Sequence, residues 1–487
     1  MSKDVWDLLK HGASQQKWGF RAFQQMPLSC RIYPNAPGCV HGHSVSHPSS
    51  RVVSRNIPLF IAFRVFFNAR FYYPVLGVLF LDLGLNLEQY ATLNVIWAVT
   101  ILLLEIPSGA LADVIGRRWM VILAGALMVG EMSVFAFAPT GAWLFPLLVL
   151  NRILSGAAEA CASGADEALA YDSLPAEGRD ERWRSVLANL MRWSSGGFFV
   201  AMILGALAFD RHFLEAAANL LGWSGGIGNT TRWPVYLTLA TSVPALICAL
   251  AMREPPAASE SESARHPMRE AVGNILTAAR FVFFDKRVRL LLLCAILFDS
   301  LVRLFLTFGS NYYRLIAIPE FVNGFLGSFY ALLGFLAATL ARRMALRLTP
   351  ARVFCLLAAL IFSGLLGLCL ATPVWGVWVV IPLGLSMPMM SYFVSTYLNQ
   401  WTDSALRATV LSFRGMALNI GYALAGICFA KIVSSIRVSG SVTSEDAIFG
   451  KALISLPIAF ALGWVALTLI AWRSRGKISG ASDSSCA

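Results

Sequence analysis

Six charged side chains lie near the middle of long apolar stretches: Arg70, Glu131, Arg152, Glu159, Asp299 and Arg303. If those stretches cross a bilayer, each charge is costly and needs a partner or a purpose. The chemistry open to them is ion pairing and proton exchange, since a carboxylate that gains a proton releases the arginine it had neutralised. Asp299 and Arg303 are four residues apart, so a helix sets them on one face where they can neutralise each other. Either they do only that, or they form a switch that opens when a solute or proton arrives. Arg152, Glu159 and Asp166 are spaced by seven, which stacks them on one face of a single helix. Glu159 is then either a proton-exchangeable site biased by Arg152 or half of an ion pair holding its helix to a neighbour. Glu131 reads as a buried partner for an arginine.

The elements that must hold these residues follow from composition. Of 487 residues, 57% are hydrophobic and only 14% charged, against roughly a quarter charged in a soluble protein. Mean hydropathy is +0.65. Apolar runs of about 20 residues, enough to span a bilayer, recur and predict an all-α membrane protein. Twelve spans are expected near 57–82, 90–108, 119–138, 143–171, 186–209, 233–252, 288–315, 321–341, 352–371, 375–398, 409–432 and 450–472. Residues 1–56 read as a polar, disordered cytoplasmic tail, 57–252 and 288–472 as two six-helix bundles, and 473–487 as a second cytoplasmic tail. Between the bundles, 253–287 reads as a cytoplasmic linker, Pro/Ser-rich at first. There Met268, Val272, Ile275, Ala279 and Val282 recur at helical spacing, predicting an amphipathic helix.

The net charge of +12 is spent on topology rather than on nucleic acid. Arginine and lysine gather in alternate loops, at Arg117 and Arg118, Arg179 to Arg184, Arg342 to Arg347, and Arg473 to Lys477. That asymmetry places both termini in the cytoplasm, with the basic loops against anionic lipid of the cytoplasmic (inner) membrane. Nine cysteines are scattered, and Cys161, Cys248, Cys294, Cys355, Cys369 and Cys428, which lie inside apolar spans, read as small buried hydrophobes. Cys30, Cys39, His41, His43 and His47 fit no strong zinc spacing. No Gly-x-x-x-x-Gly-Lys-Ser/Thr loop occurs, so ATP-driven transport is not expected, nor are a cofactor, a metal or an enzymatic centre. All six histidines fall outside the expected spans, which leaves proton coupling to Glu159 or Asp299. Met390 and Tyr392, with Met387 and Met389, give the tenth span an adaptable wall that suits either a solute cavity or ordinary helix packing.

The segment Gly109-Ala-Leu-Ala-Asp113-Val-Ile-Gly116-Arg117-Arg118 resembles the loop between the second and third helices of the major facilitator superfamily. It departs from that pattern at Val114, where the family usually has a basic residue. Arg152 to Gly156 resembles the family's second motif, with Ser155 in place of a frequent glutamine. Ser163 to Leu174 is similar to a signature of bacterial members, and Arg407 to Arg414 to the loop leading into the eleventh helix. The resemblance implies twelve helices in two pseudosymmetric bundles that rock around a central site. It implies a solute cavity built from Arg70, Arg152, Glu159, Asp299, Arg303, Met390 and Tyr392. Gly109, Asp113, Gly116, Arg117, Arg118, Asp172 and Arg407 would form the gating elements, with Asp172 paired to Arg117. The expected function is secondary active transport of a small organic solute by a monomer, as proton-coupled efflux of amphipathic compounds. The alternatives are a proton- or gradient-driven importer of an organic anion and a non-transporting membrane sensor or scaffold.

Overall fold

The computed structural model describes residues 55–482, apart from 176, 223–227, 256–266, 403 and 441. The expected N-terminal tail up to residue 54 lies outside the described residues, as do residues 483–487. Among the described residues every regular element is helical. The first half comprises α1 (Asn56–Asn68), α2 (Leu76–Asp82), α3 (Leu87–Ile115), α4 (Arg117–Phe137), α5 (Leu144–Ala162), α6 (Ala165–Asp172), α7 (Arg179–Phe209), α8 (Arg211–Leu220) and α9 (Trp233–Ala251). The linker helix α10 (Pro267–Phe284) follows. The second half holds α11 (Lys286–Thr307), α12 (Gly309–Leu315), α13 (Val322–Arg347), α14 (Pro350–Leu368), α15 (Val380–Trp401), α16 (Ser404–Val438), α17 (Glu445–Leu453) and α18 (Ser455–Ser482). Among the described residues, 11 segments are long and apolar enough to cross a membrane. The first expected span escapes that criterion because it is broken into pieces of 13 and 7 residues.

Three breaks are informative. The first and seventh expected spans are interrupted at matching places, between α1 and α2 and at Phe308 between α11 and α12. A broken helix in hydrocarbon must find other partners for its freed backbone groups, and the first break does. The Phe71 N–H donates to Thr238 Oγ1 on α9 at 3.0 Å. The Gly77 and Val78 N–H groups donate to Ser310 Oγ at 3.0 and 3.3 Å, so the short pieces α2 and α12 meet across the two halves. The third break corrects an expectation: the fourth span stops at Ser163 and Gly164, whose φ of 76° suits glycine alone. Arg152, Glu159 and Asp166 therefore do not share one continuous helix face.

A second correction concerns the expected loop at Gly109–Arg118. Helix α3 runs through Gly109 to Ile115, and the turn is reduced to Gly116 alone, at φ 97°. At its other end α3 opens on a capping box, where the Gln89 N–H donates to Asn86 Oδ1 at 2.8 Å and the Asn86 N–H to Gln89 Oε1 at 3.0 Å. The linker helix α10 touches α3 of one half and α16 of the other. Of its expected apolar stripe, Val282 is buried and Ala279 half-buried, while the side chains of Met268, Val272 and Ile275 lie outside the described residues.

The halves also meet where α7 crosses α13. A side chain at Gly324 would run into the Met202 carbonyl and the Ile203 backbone, contacts that no rotamer change relieves. Gly324→Leu should therefore cost about 1–3 kcal/mol or more of stability. It should lower the thermal unfolding midpoint of purified protein, whereas Gly196→Ala, which meets open space, should leave it unchanged.

Candidate transport site

Most of the buried charges find partners between helices. Arg70, at the α1–α2 break, forms an ion pair with Glu131 of α4, the two being 4% and 0% exposed. Its guanidinium also stacks on Phe67, 5.3 Å from the ring centre. Arg64 of α1 pairs with the fully buried Asp166 of α6, its Nη2 donating to Oδ1 at 2.9 Å. In the second half, Asp299 and Arg303 pair along α11 as their spacing predicts. Arg303 also donates from Nη1 to Asn419 Oδ1 on α16 at 2.9 Å and lies over the Tyr422 ring at 5.2 Å.

Arg152 is different. It is 4% exposed, and its Nε donates to the amide oxygen of its neighbour Asn151 at 3.0 Å. Its guanidinium faces the Phe80 ring at 5.5 Å, and Nη2 is buried without a hydrogen-bond partner. No carboxylate among the described residues pairs with it. Seven residues on, Glu159 is half-buried, and its side chain likewise takes no ion pair or hydrogen bond from a described residue.

Aromatic rings connect the two arginines. Phe80 packs on Tyr90 with ring centres 5.3 Å apart, and the Tyr90 hydroxyl donates to the Thr307 carbonyl at 2.7 Å. Thr307 Oγ1 in turn bonds the Tyr422 hydroxyl at 3.0 Å, beside Arg303. Arg152 of one half and Arg303 of the other thus stand at the ends of a chain of contacts crossing from one half to the other. Met390 is buried in the core and Tyr392 packs edge-on against Phe393 at 5.8 Å. No described hydrogen bond or ring contact joins either to the arginines.

The ends of the bundle differ. At the Gly116 end, Arg117 pairs with Asp172, but both belong to the first half. Arg118 caps α9, donating from Nε to the Met252 carbonyl at 2.7 Å and from Nη2 to the Leu250 carbonyl at 3.2 Å, which satisfies carbonyls a helix end leaves free. Gly109 meets open space. The side chains of Asp113 and Arg407 lie outside the described residues. At the opposite end two arginines of the second half each clasp an acid from each half. Arg314 forks onto Asp82 at 2.6 and 2.8 Å and also holds Glu320 at 3.0 Å. Arg437 forks onto Glu88 at 2.8 Å twice and holds Glu445 at 2.7 Å. Asp210 Oδ2 accepts the Phe321 N–H at 3.1 Å. Among the described residues the halves are also joined by hydrogen bonds from the Leu87 N–H to Glu445, from Tyr90 to Thr307, and from the Gly77 and Val78 N–H groups to Ser310.

This architecture of two helical halves, with matching breaks and charges held at their junction, can be compared with known proteins. The family model described as Major Facilitator Superfamily matches residues 59–426. The chain belongs to that superfamily. Solved structures agree on the fold. The nucleoside transporter NupG is 14% identical, with a TM-score of 0.65 over 86% of this chain and 98% of that one. A bacterial homolog to the human lysosomal transporter Spinster, inward-facing and unoccupied, is 15% identical, with a TM-score of 0.60 over 87% and 96%. A POT family transporter in complex with 5-aminolevulinic acid is 14% identical, with a TM-score of 0.59 over 85% and 96%. No curated protein matches in sequence. As a superfamily member the chain is a multi-pass transporter rather than an enzyme.

Sequence reasoning missed the two arginine clasps. Their signal was present: in loops otherwise poor in charge, Asp82, Glu88, Glu320 and Glu445 each border a span. It missed the Arg64–Asp166 pair because the break at Gly164 was not read. Within this superfamily member the Arg70–Glu131 pair has a structural cost attached. Glu131→Gln strands a buried guanidinium and should cost about 3–5 kcal/mol, read as a lower unfolding midpoint. The double variant Arg70→Met with Glu131→Leu should recover most of that loss.

Proposed function

We propose that this transporter carries a small organic anion by alternating access, with Arg152 gripping the anionic group and Glu159 exchanging a proton. The observation that carries this reading is the buried guanidinium of Arg152, which has no carboxylate partner among the described residues, while the buried Arg70 and the half-buried Arg64 and Arg303 each have one. A charge so placed is destabilising unless something completes it, and a carboxylate or phosphate ligand matches its planar donors. Glu159 lies two helical turns away, about 10 Å along the axis. While ionised it offsets part of the arginine's charge; once protonated it leaves Arg152 to the solute. Proton and anion then enter together, and the protein moves between states with its charges covered.

The basic loops support a membrane orientation with the Gly116 end in the cytoplasm and both termini inside. The conformation then has its outer end sealed by the Arg314 and Arg437 clasps. Each clasp is partly exposed and is worth about 1 kcal/mol at most. Two together bias the states by roughly thirtyfold, a seal that solute binding can reverse. Arg117 and Asp172, already paired within one half, would favour the opposite state through further contacts made when the Gly116 end closes. Proton-coupled efflux of amphipathic compounds is the second reading, favoured by the adaptable methionines of α15, where Met389 and Met390 are buried.

In sealed vesicles, wild-type protein should accumulate an anionic solute when the pH gradient is acid on the entry side. Arg152→Gln should abolish uptake, and Glu159→Gln should keep exchange but lose accumulation. If collapsing the gradient changes neither accumulation nor efflux, proton coupling is wrong; gradient-driven extrusion of neutral or cationic amphiphiles would favour the second reading. Arg314→Gln should raise the labelling rate of an outer-cavity cysteine about fivefold, and Arg117→Ala should lower it.

A further inference from the structure

Away from the central site, a groove of about 450 Å³ opens between the Gly116-end tips of α11, α14, α15 and α18. Its walls are apolar, formed by Leu291, Cys294, Phe354, Trp401, Trp464 and Leu467, and its lining includes one cation, Arg287, and no acid. Arg287 is exposed, and the exposed bases Lys286, Arg352 and Arg473 are each next in sequence to a lining residue. The nearby acid Asp285 is engaged in capping α11, accepting the Arg287 and Val288 N–H groups at 2.8 and 3.0 Å.

We propose that this groove binds one acyl chain of an anionic phospholipid, with the lipid phosphate held by Arg287. An apolar slot at the ends of membrane-crossing helices is filled by hydrocarbon, and its tryptophans suit the level where chain meets headgroup. The surplus of bases selects an anionic headgroup over a zwitterionic one. A lipid seated there joins α14 and α18 to α11, the helix that carries Asp299 and Arg303. The inference rests on the orientation proposed above, in which this end faces the anionic leaflet, but not on the identity of the solute.

Purified protein in detergent is titrated with phosphatidylglycerol or phosphatidylcholine of matched chains and read by native mass spectrometry. Binding in a micelle does not depend on orientation in a membrane, so failure of the groove and failure of the orientation are separable. One phosphatidylglycerol should be retained with a preference of roughly fivefold over phosphatidylcholine. Arg287→Gln should bring that preference to parity while leaving the fold intact, and Ala351→Trp, which fills the groove, should abolish retention. Equal retention of both lipids by wild-type protein would overturn the proposal, as would undiminished phosphatidylglycerol binding in Ala351→Trp. Displacement of phosphatidylglycerol by an amphipathic solute that the protein transports would assign the groove to the cargo and also overturn it.

Discussion

A guanidinium in hydrocarbon has to be neutralised, and that single constraint organises the interior of this protein. Arg64 reaches Asp166, Arg70 reaches Glu131, and Arg303 reaches Asp299. Each pair ties one helix to another or braces a helix beside its break. Such pairs add little net stability relative to an apolar core of the same shape, yet removing one partner is severe. They therefore fix which helices face each other more than they hold the molecule together. Arg152 stands outside the scheme, and the proposed function follows from that exception.

The same constraint acts on the backbone. The first of the two breaks frees N–H groups at membrane depth, and Thr238 of the same half and Ser310 beside the other break supply the missing acceptors. Because Ser310 belongs to the opposite half from Gly77, satisfying the first break also docks the halves. That docking continues outward into the Arg314 and Arg437 clasps, where water is close and pairing is cheap to undo. Strong contacts lie where the structure must persist, and weak ones where it must open.

Much of this was legible in the sequence. Hydropathy located the spans, and the spacing of Asp299 and Arg303 foretold their pairing. Arg117 and Asp172 were expected to pair from resemblance, and they do, though within one half. Glu131 was read as a buried partner of an arginine, without its identity as Arg70. What stayed hidden depends on distance along the chain. Arg437 and Glu88 are 349 residues apart, and no local pattern couples them. The break at Gly164 was equally silent, because an isolated glycine in an apolar run is as compatible with an unbroken helix, and so Asp166 was set on the wrong face. Continuity of α3 through Gly109 was obscured by the two glycines of Gly109–Arg118, which read as a loop although only Gly116 makes the turn.

As a buried charge awaiting an anion, Arg152 carries a stability penalty while the site is empty. The most direct test is the thermal unfolding midpoint of solute-free Arg152→Met beside wild type. The account predicts that the variant is at least as stable as wild type, and that anionic solutes raise the midpoint of wild type but not of the variant. A marked fall in the solute-free variant, comparable to that of a broken structural pair, would show that Arg152 is already compensated and would contradict the claim.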